Sequence, residues 1–510
     1  MNNTDPLCVQ LLKSLVLCSE KAAVIARLIK QQTGLFQTLI QVKDSAEANL
    51  RFSVDVKTLT DVLIQEVVKY DLGLLFPGFG DLVFGEENNR FSGNSGKTVT
   101  IQLSSKENLV NVFVDIFGNN VNFANELSEI CFQSLELFKT QLSVSKIWEN
   151  LITKCNSLYQ IQDKRYNDPK EFGVWIDPID STADYAQGQF DKIHASASVV
   201  ESSTEAESLN QINHFFANPT SLIRFFRGGL INVTILIGLF DRSTGLPLIG
   251  VVNQPFYLLD NLSQDDNSSL DNKVNTLHNY GRIFWGFNVN TSENFSPIIG
   301  SSSNCCSYMS SNSSRNSLFP KYLRFPDNFF DALCPDRVFS EGKPVLKLAC
   351  SSVEFSRLAN LFHNYKDENQ ELVNVVLLSS SGAGFKQLCV ILNEVDAFIL
   401  MEPNTFVWDT CGPHTIISSL GGGIIQLKTA LDSVKTLLHN ITDNLDSVRQ
   451  TILNDLNKFQ IIYNVLKSPE EIQMLNSPNL SKCCNRNGLL AYRNPMLASQ
   501  LLVHIALNQN

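Results

Sequence analysis

An apolar run, Phe172-Gly173-Val174-Trp175-Ile176, ends abruptly in Asp177-Pro178-Ile179-Asp180-Ser181-Thr182, and no other stretch of the chain restricts the fold so tightly. The run reads as a strand, and the hexapeptide sets two carboxylates, two hydroxyls and a proline at its carboxyl end. Open α/β sheets bind ligands at that edge. Hard divalent cations are held by oxygen donors of this kind, so the segment predicts a metal-bound phosphate site. The same composition also fits a capped strand-to-helix turn, where Asp, Ser and Thr are common. Other acids must converge on it before the first reading outweighs the second.

At 510 residues the chain exceeds one ordinary core of about 100 to 200 residues, which predicts two domains plus inserts. Apolar residues make up 44% and charged residues 18%, enough for sizeable cores and against global disorder. Leu11, Leu15, Cys18, Ala22, Ile25 and Ile29 recur at spacings of three and four and predict an amphipathic helix. A second helix is expected over 58–70. Its apolar face is Leu59, Val62, Leu63 and Val67, and Thr58-Leu59-Thr60-Asp61 fits a capping-box start that gives Asp61 an ordinary structural duty.

Alternation of Val99, Ile101 and Leu103 with polar residues predicts a strand, and 232–240 and 246–253 read as the arms of a hairpin turning at 241–245. Ser-, Asn- and Asp-rich stretches at 258–271 and 291–317 read as inserted loops around a short apolar segment at 282–287. Beyond them come a strand from 345, a helix over 384–392 and a strand over 395–401, the alternation of an α/β domain. Residues 428–467 carry a helical pattern, 488–493 reads as a late strand, and a last helix is expected near 496–507. The expected division is an α+β domain over 1–290, an insert over 291–340 and an α/β domain over 341–510.

The formal charge of -11, without a dense Lys/Arg tract, argues against extended binding to nucleic acid. An anionic substrate then needs locally placed cations. Twelve cysteines are scattered without a C-x-x-C spacing, which predicts reduced thiols and a cytoplasmic protein. The adjacent pairs Cys305-Cys306 and Cys483-Cys484 read as ordinary packing or surface thiols. The apolar stretch at 11–17 is interrupted by Lys13 and Ser14 and lacks the flanks of a signal peptide, and no run approaches the roughly 20 apolar residues of a membrane span.

Two further acidic positions stand out. Gly85-Glu86-Glu87 follows the glycine- and proline-bearing segment 76–80, so a loop could return either carboxylate to the same sheet edge. Trp408-Asp409 lies after the strand ending at Met401, with Pro413 early in a helix that stops at Gly421-Gly422-Gly423. Alone, the first is a solvated acidic turn and the second as readily an N-cap as a ligand.

Together these residues resemble the lithium-sensitive, magnesium-dependent phosphomonoesterases of the inositol monophosphatase superfamily. The signature of that family, D-P-I/L-D-S/G-T followed in the second half of the chain by W-D and a short helix, stands here as 177–182 and Trp408-Asp409. The upstream acids Asp61 and Glu86 also fit. Within the superfamily the chain is most similar to the branch acting on inositol polyphosphates, through 19–23, 54–59, 84–87, 233–238, 251–256, 382–390 and 487–493.

The resemblance implies an α/β (α+β) sugar-phosphatase fold, a layered αβαβα sandwich of two domains. It implies Mg2+ ions, two or three of them: one on Glu86, Asp177 and the carbonyl of Ile179, a second on Asp177, Asp180 and Asp409, with inhibition by Li+. Asp177 can bridge two cations, and clustered acids are tolerable only when cations hold them. Thr182 would position an attacking water and pass its proton toward Asp61, with Glu86 completing the catalytic set. Ser181 and Thr182 would hold the phosphate through their amides.

Gly382 and Ala383 would approach the substrate closely, Lys386 would pair with a second phosphate, and Ser351 and Ser352 would line the pocket. Glu354 stands where a basic residue is expected. For His414 a packed or supporting place is favoured over acid–base duty. The implied reaction is hydrolysis of the 1-phosphate of inositol 1,4-bisphosphate and inositol 1,3,4-trisphosphate, in inositol phosphate signalling and recycling. A 3'(2'),5'-bisphosphate nucleotidase, an inositol monophosphatase and a noncatalytic scaffold are the alternatives. The expected partners are small inositol polyphosphates, and the oligomeric state is left open, a monomer being compatible.

Overall fold

The computed structural model describes residues 5–43, 55–92, 98–118, 120–141, 168–188, 223–227, 229–258, 280–288, 345–367, 371–440, 444–466 and 481–509. The loop expected at 258–271 lies outside the described residues except for 258, which ends a strand, and the loop at 291–317, the insert over 291–340 and the Cys305-Cys306 pair lie outside them entirely. The strands in chain order are β1 (Ile40–Val42), β2 (Val56–Thr58), β3 (Val83–Gly85), β4 (Arg90–Ser92), β5 (Thr98–Thr100), β6 (Phe172–Asp180), β7 (Ile223–Arg227) and β8 (Thr234–Asp241). They continue as β9 (Pro247–Leu258), β10 (Tyr280–Phe287), β11 (Val345–Cys350), β12 (Asn374–Ser380), β13 (Ala397–Leu400), β14 (Gly423–Gln426) and β15 (Leu489–Tyr492).

Two sheets carry the architecture. The first has the order β10-β9-β8-β6-β3 and is antiparallel except where β3 runs beside β6; the second has the order β14-β15-β13-β11-β12-β7. In the second, β13, β11, β12 and β7 are parallel, and β15 enters antiparallel between β14 and β13. The edge strand β7 therefore brings residues 223–227 to the sheet otherwise built from 345 onward. The small pairs β1-β2 and β4-β5 stand apart.

Helices fill the other layers. Leu7–Lys30 and Leu59–Leu75 pack on the first sheet, Ala383–Ile391 and Val407–Ser419 lie between the sheets, and Leu427–Asn440, Leu445–Asp455 and Pro495–Asn508 cover the second. This is the layered αβαβα sandwich. Alternation in the central strands accounts for it, because successive side chains point to opposite faces. Val376 and Leu378 join the core around the middle helices, whereas Val375 and Leu377 join the one beneath the outer helices with Leu346 and Leu348.

Expected elements differ from observed ones at three places. The first helix forms as expected, but its polar side is not solvated: Lys13, Glu20, Lys21, Arg27 and Lys30 are all buried. Lys21 is neutralised by Asp71 at 2.9 Å and donates to the carbonyls of Cys131 and Gln133, so a charged face packs inside because partners await it. The strand expected over 99–103 ends at Thr100. The helical pattern over 428–467 stops at Phe459. Beyond it the backbone extends, with the Ile461 amide donating to Ile424 and the Tyr463 amide to Gly245.

Candidate active site

β6 is buried along all nine of its residues, and its last residues carry the acids. Asp177 lies opposite Leu236 and Asp180 opposite Thr234, so three steps along β6 match two along β8. In a regular strand, residues three apart face opposite ways. The bulge inserts one residue and turns Asp180 back to the side of Asp177, and Pro178, which has no N–H for the ladder, sits inside it.

Asp409 arrives from the other half of the chain, in the first turn of the Val407–Ser419 helix, where it accepts the Phe406 amide at 2.7 Å. Glycines let that helix press onto the first sheet. A Cβ on Gly250 would lie 2.0 Å from the carbonyl oxygen of Gly412, and one on Gly238 would lie 2.5 Å from the Gly412 nitrogen. The outcome is a buried triad, Asp177, Asp180 and Asp409, with carboxylate oxygens all within 4.8 Å of one another.

Burial pushes the carboxyl of Asp177 well above the usual range, and the charges of Glu86, Asp180 and Asp409 add to it; Asp409 is raised for the same reasons. Asp180 is also raised by burial but is partly relieved by Lys386 and by hydrogen bonds from Thr234 at 3.0 Å, the Ala383 amide at 3.1 Å and the Gly384 amide at 2.9 Å. Among the described residues no lysine or arginine forms an ion pair with any of the three. Three desolvated carboxylates within 4.8 Å of one another make an all-oxygen donor set, the set that hard cations such as Mg2+ require. The residues present fit such an ion.

The triad opens into a cleft of about 320 Å3. Glu86, Asp177, Ile179, Asp180, Ser181, Thr182, Ser351, Ser352, Gly382, Ala383, Lys386 and Asp409 all line it. Glu86 stands outside the triad, its Oε1 accepting from Lys43 Nζ at 2.6 Å. Asp61 lies behind the wall. Its Oδ2 accepts the Thr58 amide at 2.8 Å, the capping box read from the sequence, while its Oδ1 accepts from the Thr182 hydroxyl at 3.4 Å. The two oxygens of one carboxylate thus face the cap and Thr182 separately. Burial and the nearby Glu87 push its pKa up to about 7. The Thr182 hydroxyl also lies 3.0 Å from the Ile179 carbonyl.

Lys386 is buried, donating to the carbonyls of Ser380 at 2.8 Å and Gly382 at 2.7 Å, so one of its three N–H donors is left for a ligand. Glu354 is absent from the cleft wall: its Oε1 accepts the amides of Met401 and Glu402, and its Oε2 accepts from Ser351. A base there would leave those two amides unmatched. His414 is packed, its ring nitrogens 2.8 Å from the Tyr463 hydroxyl and 2.7 Å from Gln460, and burial lowers its pKa to about 4.

Sequence reasoning missed Lys43 and Asp184. Lys43 bridges Glu86 and Glu87, and although burial opposes its charge, those two carboxylates and Asp55 outweigh burial and hold it well above its usual range. A lone lysine far upstream carries no pattern. Asp184 was within reach, three residues after Ser181, but its partner Ser381 comes from the other sheet.

The model of the Inositol monophosphatase family matches residues 147–447 of this chain. The chain belongs to the inositol monophosphatase family. Among curated relatives in this family, the inositol polyphosphate 1-phosphatase of Bos taurus is 29% identical, over 97% of this chain and 98% of that protein. Those of Mus musculus and Homo sapiens are 31% and 30% identical, over 83% and 95% of this chain and 84% and 94% of those proteins.

Proposed function

We propose that the protein is a Mg2+-dependent phosphomonoesterase that removes the 1-phosphate of inositol 1,4-bisphosphate and inositol 1,3,4-trisphosphate, acts in the cytoplasm and is inhibited by Li+. The observation that carries the reading is the buried triad of Asp177, Asp180 and Asp409 at one end of a cleft, in a chain whose relatives over nearly its full length bear the name inositol polyphosphate 1-phosphatase. Glu86, Asp177 and the Ile179 carbonyl would hold one Mg2+, and Asp177, Asp180 and Asp409 a second. When bound, such ions stabilise charge on the phosphoryl oxygens and on the departing oxygen.

The chain's own groups do the rest. The Thr182 hydroxyl, between the Ile179 carbonyl and Asp61, orients the attacking water, takes the proton that water loses and passes its own to Asp61, whose raised pKa suits a group that must accept it near neutral pH. Gly382, with a positive φ and no side chain, lets its loop press against Asp180 at the rim of the cleft, since a Cβ there would lie 2.9 Å from Asp180 Oδ2, and Gly382 and Ala383 lie close to the substrate. Lys386 offers its remaining donor to a second phosphate, the amides of Ser181 and Thr182 hold the phosphate that leaves, and Ser351 and Ser352 line the pocket.

The test is phosphate release from inositol 1,4-bisphosphate by the purified protein, with and without Mg2+ and Li+, identifying which phosphate leaves. Mg2+-dependent loss of the 1-phosphate is expected. Equal or faster release from 3'-phosphoadenosine 5'-phosphate would transfer the assignment to a nucleotidase, and no release from any inositol phosphate would leave a scaffold.

A further inference from the structure

The ladder between β3 and β6 closes at Gly85 opposite Ile176, and Glu86 and Glu87 follow beyond it. There a side chain takes the place of a strand. Gln65 Oε1 accepts the Glu87 amide at 3.0 Å, and Gln65 Nε2 donates to the Glu87 carbonyl. Facing residues of an antiparallel pair exchange the same two bonds. Gln65 is buried, and a Cβ on Gly85 would overlap its Oε1, so the glycine ahead of Glu86 leaves the amide its room. The Glu87 carboxylate is held as well, by Lys43 at 2.8 Å and Lys57 at 3.9 Å. With Glu87 fixed at main chain and side chain, Glu86 is the neighbour that faces the cleft, its side chain 25% exposed against 4% for Glu87.

The helix that supplies Gln65 also carries Asp61. The two are four residues apart in Leu59–Leu75 and so share one face. Thr60, beside Asp61, has its hydroxyl 3.0 Å from the Tyr185 hydroxyl in the Thr182–Gln187 helix. One element thus touches both the segment that carries Thr182 and the segment that carries Glu86. We infer that Gln65 is a positioning residue of the site, one that fixes Glu86 in the cleft before any cation arrives. The inference deepens the proposed function and rests on it for Glu86 as a cation ligand. Its physical content is preorganisation. A carboxylate on a segment left to itself must be ordered when it takes up a cation, and that ordering is subtracted from the affinity; a segment already bonded through Glu87 avoids the loss.

The experiment compares the full chain with its Gln65→Met and Glu86→Ala variants and the double variant. Methionine keeps the length of Gln65 and makes neither bond to Glu87. Mg2+ dissociation constants are measured by calorimetry on substrate-free protein, and kcat is measured at rising Mg2+. Gln65→Met should weaken Mg2+ binding about ten-fold and move half-maximal turnover to about ten-fold higher Mg2+, with kcat at saturation within about three-fold of wild type. In the Glu86→Ala background the same substitution should change Mg2+ affinity by less than about two-fold, because the ligand it orients is gone. An unchanged affinity in Gln65→Met overturns the inference, as do equal losses in the two backgrounds, which a general loosening of the fold would give. Hydrogen exchange over 85–88 in metal-free wild type should already be slow, since Gln65 holds the Glu87 amide; exchange at the rate of an open loop overturns the inference even where Gln65→Met does not fold. Wild-type protein that binds no Mg2+ removes the cation reading of Glu86 and the inference with it. Failure to cleave inositol 1,4-bisphosphate sinks the proposed substrate alone and leaves the binding and exchange measurements standing.

Discussion

At the scale of single residues, the site concentrates charge that the protein alone does not neutralise. Asp409 is held above the usual carboxylate range by burial and by Asp180 and Glu86. Asp409→Asn should therefore abolish turnover and yet stabilise the metal-free protein by about 1 kcal/mol, because it removes a desolvated like charge. Thermal melts in chelator check this: wild type should gain stability with Mg2+, by about 2.7 kcal/mol at a hundred times the dissociation constant, and the variant should gain little. Thr182 and Asp61 act on one proton. Thr182→Ala and Asp61→Asn should each lower kcat by about a hundred-fold or more, and the double variant should be scarcely worse than the poorer single one. Additive losses measured with inositol 1,4-bisphosphate would separate the two residues. Asp61 was legible in the sequence as a cap, and the structure gives its two oxygens separate partners, the Thr58 amide and the Thr182 hydroxyl.

At the scale of elements, long periodic helices and the hairpin of β8 and β9 were legible because each repeats its apolar pattern over several turns or several alternations. The burial of the first helix on all sides was not, since Asp71, Cys131 and Gln133, which satisfy Lys21, lie 50 or more residues away along the chain. Lys21→Met leaves Asp71 buried and unmatched and should cost about 3 to 5 kcal/mol, while Lys21→Met with Asp71→Leu should recover most of it. Urea unfolding of the three proteins decides this, and equal losses in the single and double variants would count against the pair. The extended run after Phe459 escaped detection for a similar reason. Its apolar residues are spaced for a helix, but Gln460 and Tyr463 are captured by His414 and Tyr463 by the β8–β9 turn.

At the scale of the molecule, His414 joins the middle layer to that extended run, and burial lowers its pKa to about 4 from an ordinary 6.5. The unfolded chain then binds the proton first as pH falls. The stability His414 confers is complete above about pH 6.5 and is lost progressively toward about pH 4, on the order of 3 kcal/mol in all. Denaturation midpoints at pH 7, 5.5 and 4.5 should show this limb, and His414→Gln should flatten it. By itself the sequence determined the strand that ends in acids, the main helices and the acids Asp177, Asp180 and Asp409 that cluster in the cleft, since each of these is written in neighbouring positions or in a recognisable signature. Tertiary structure alone decided that Asp177 and Asp180 share a side, through a bulge against β8, and that Asp409 meets them, through glycines that let a helix touch the sheet. It also decided that Ser381 meets Asp184, because the two lie 197 residues apart and hydrogen-bond only once the two sheets are stacked.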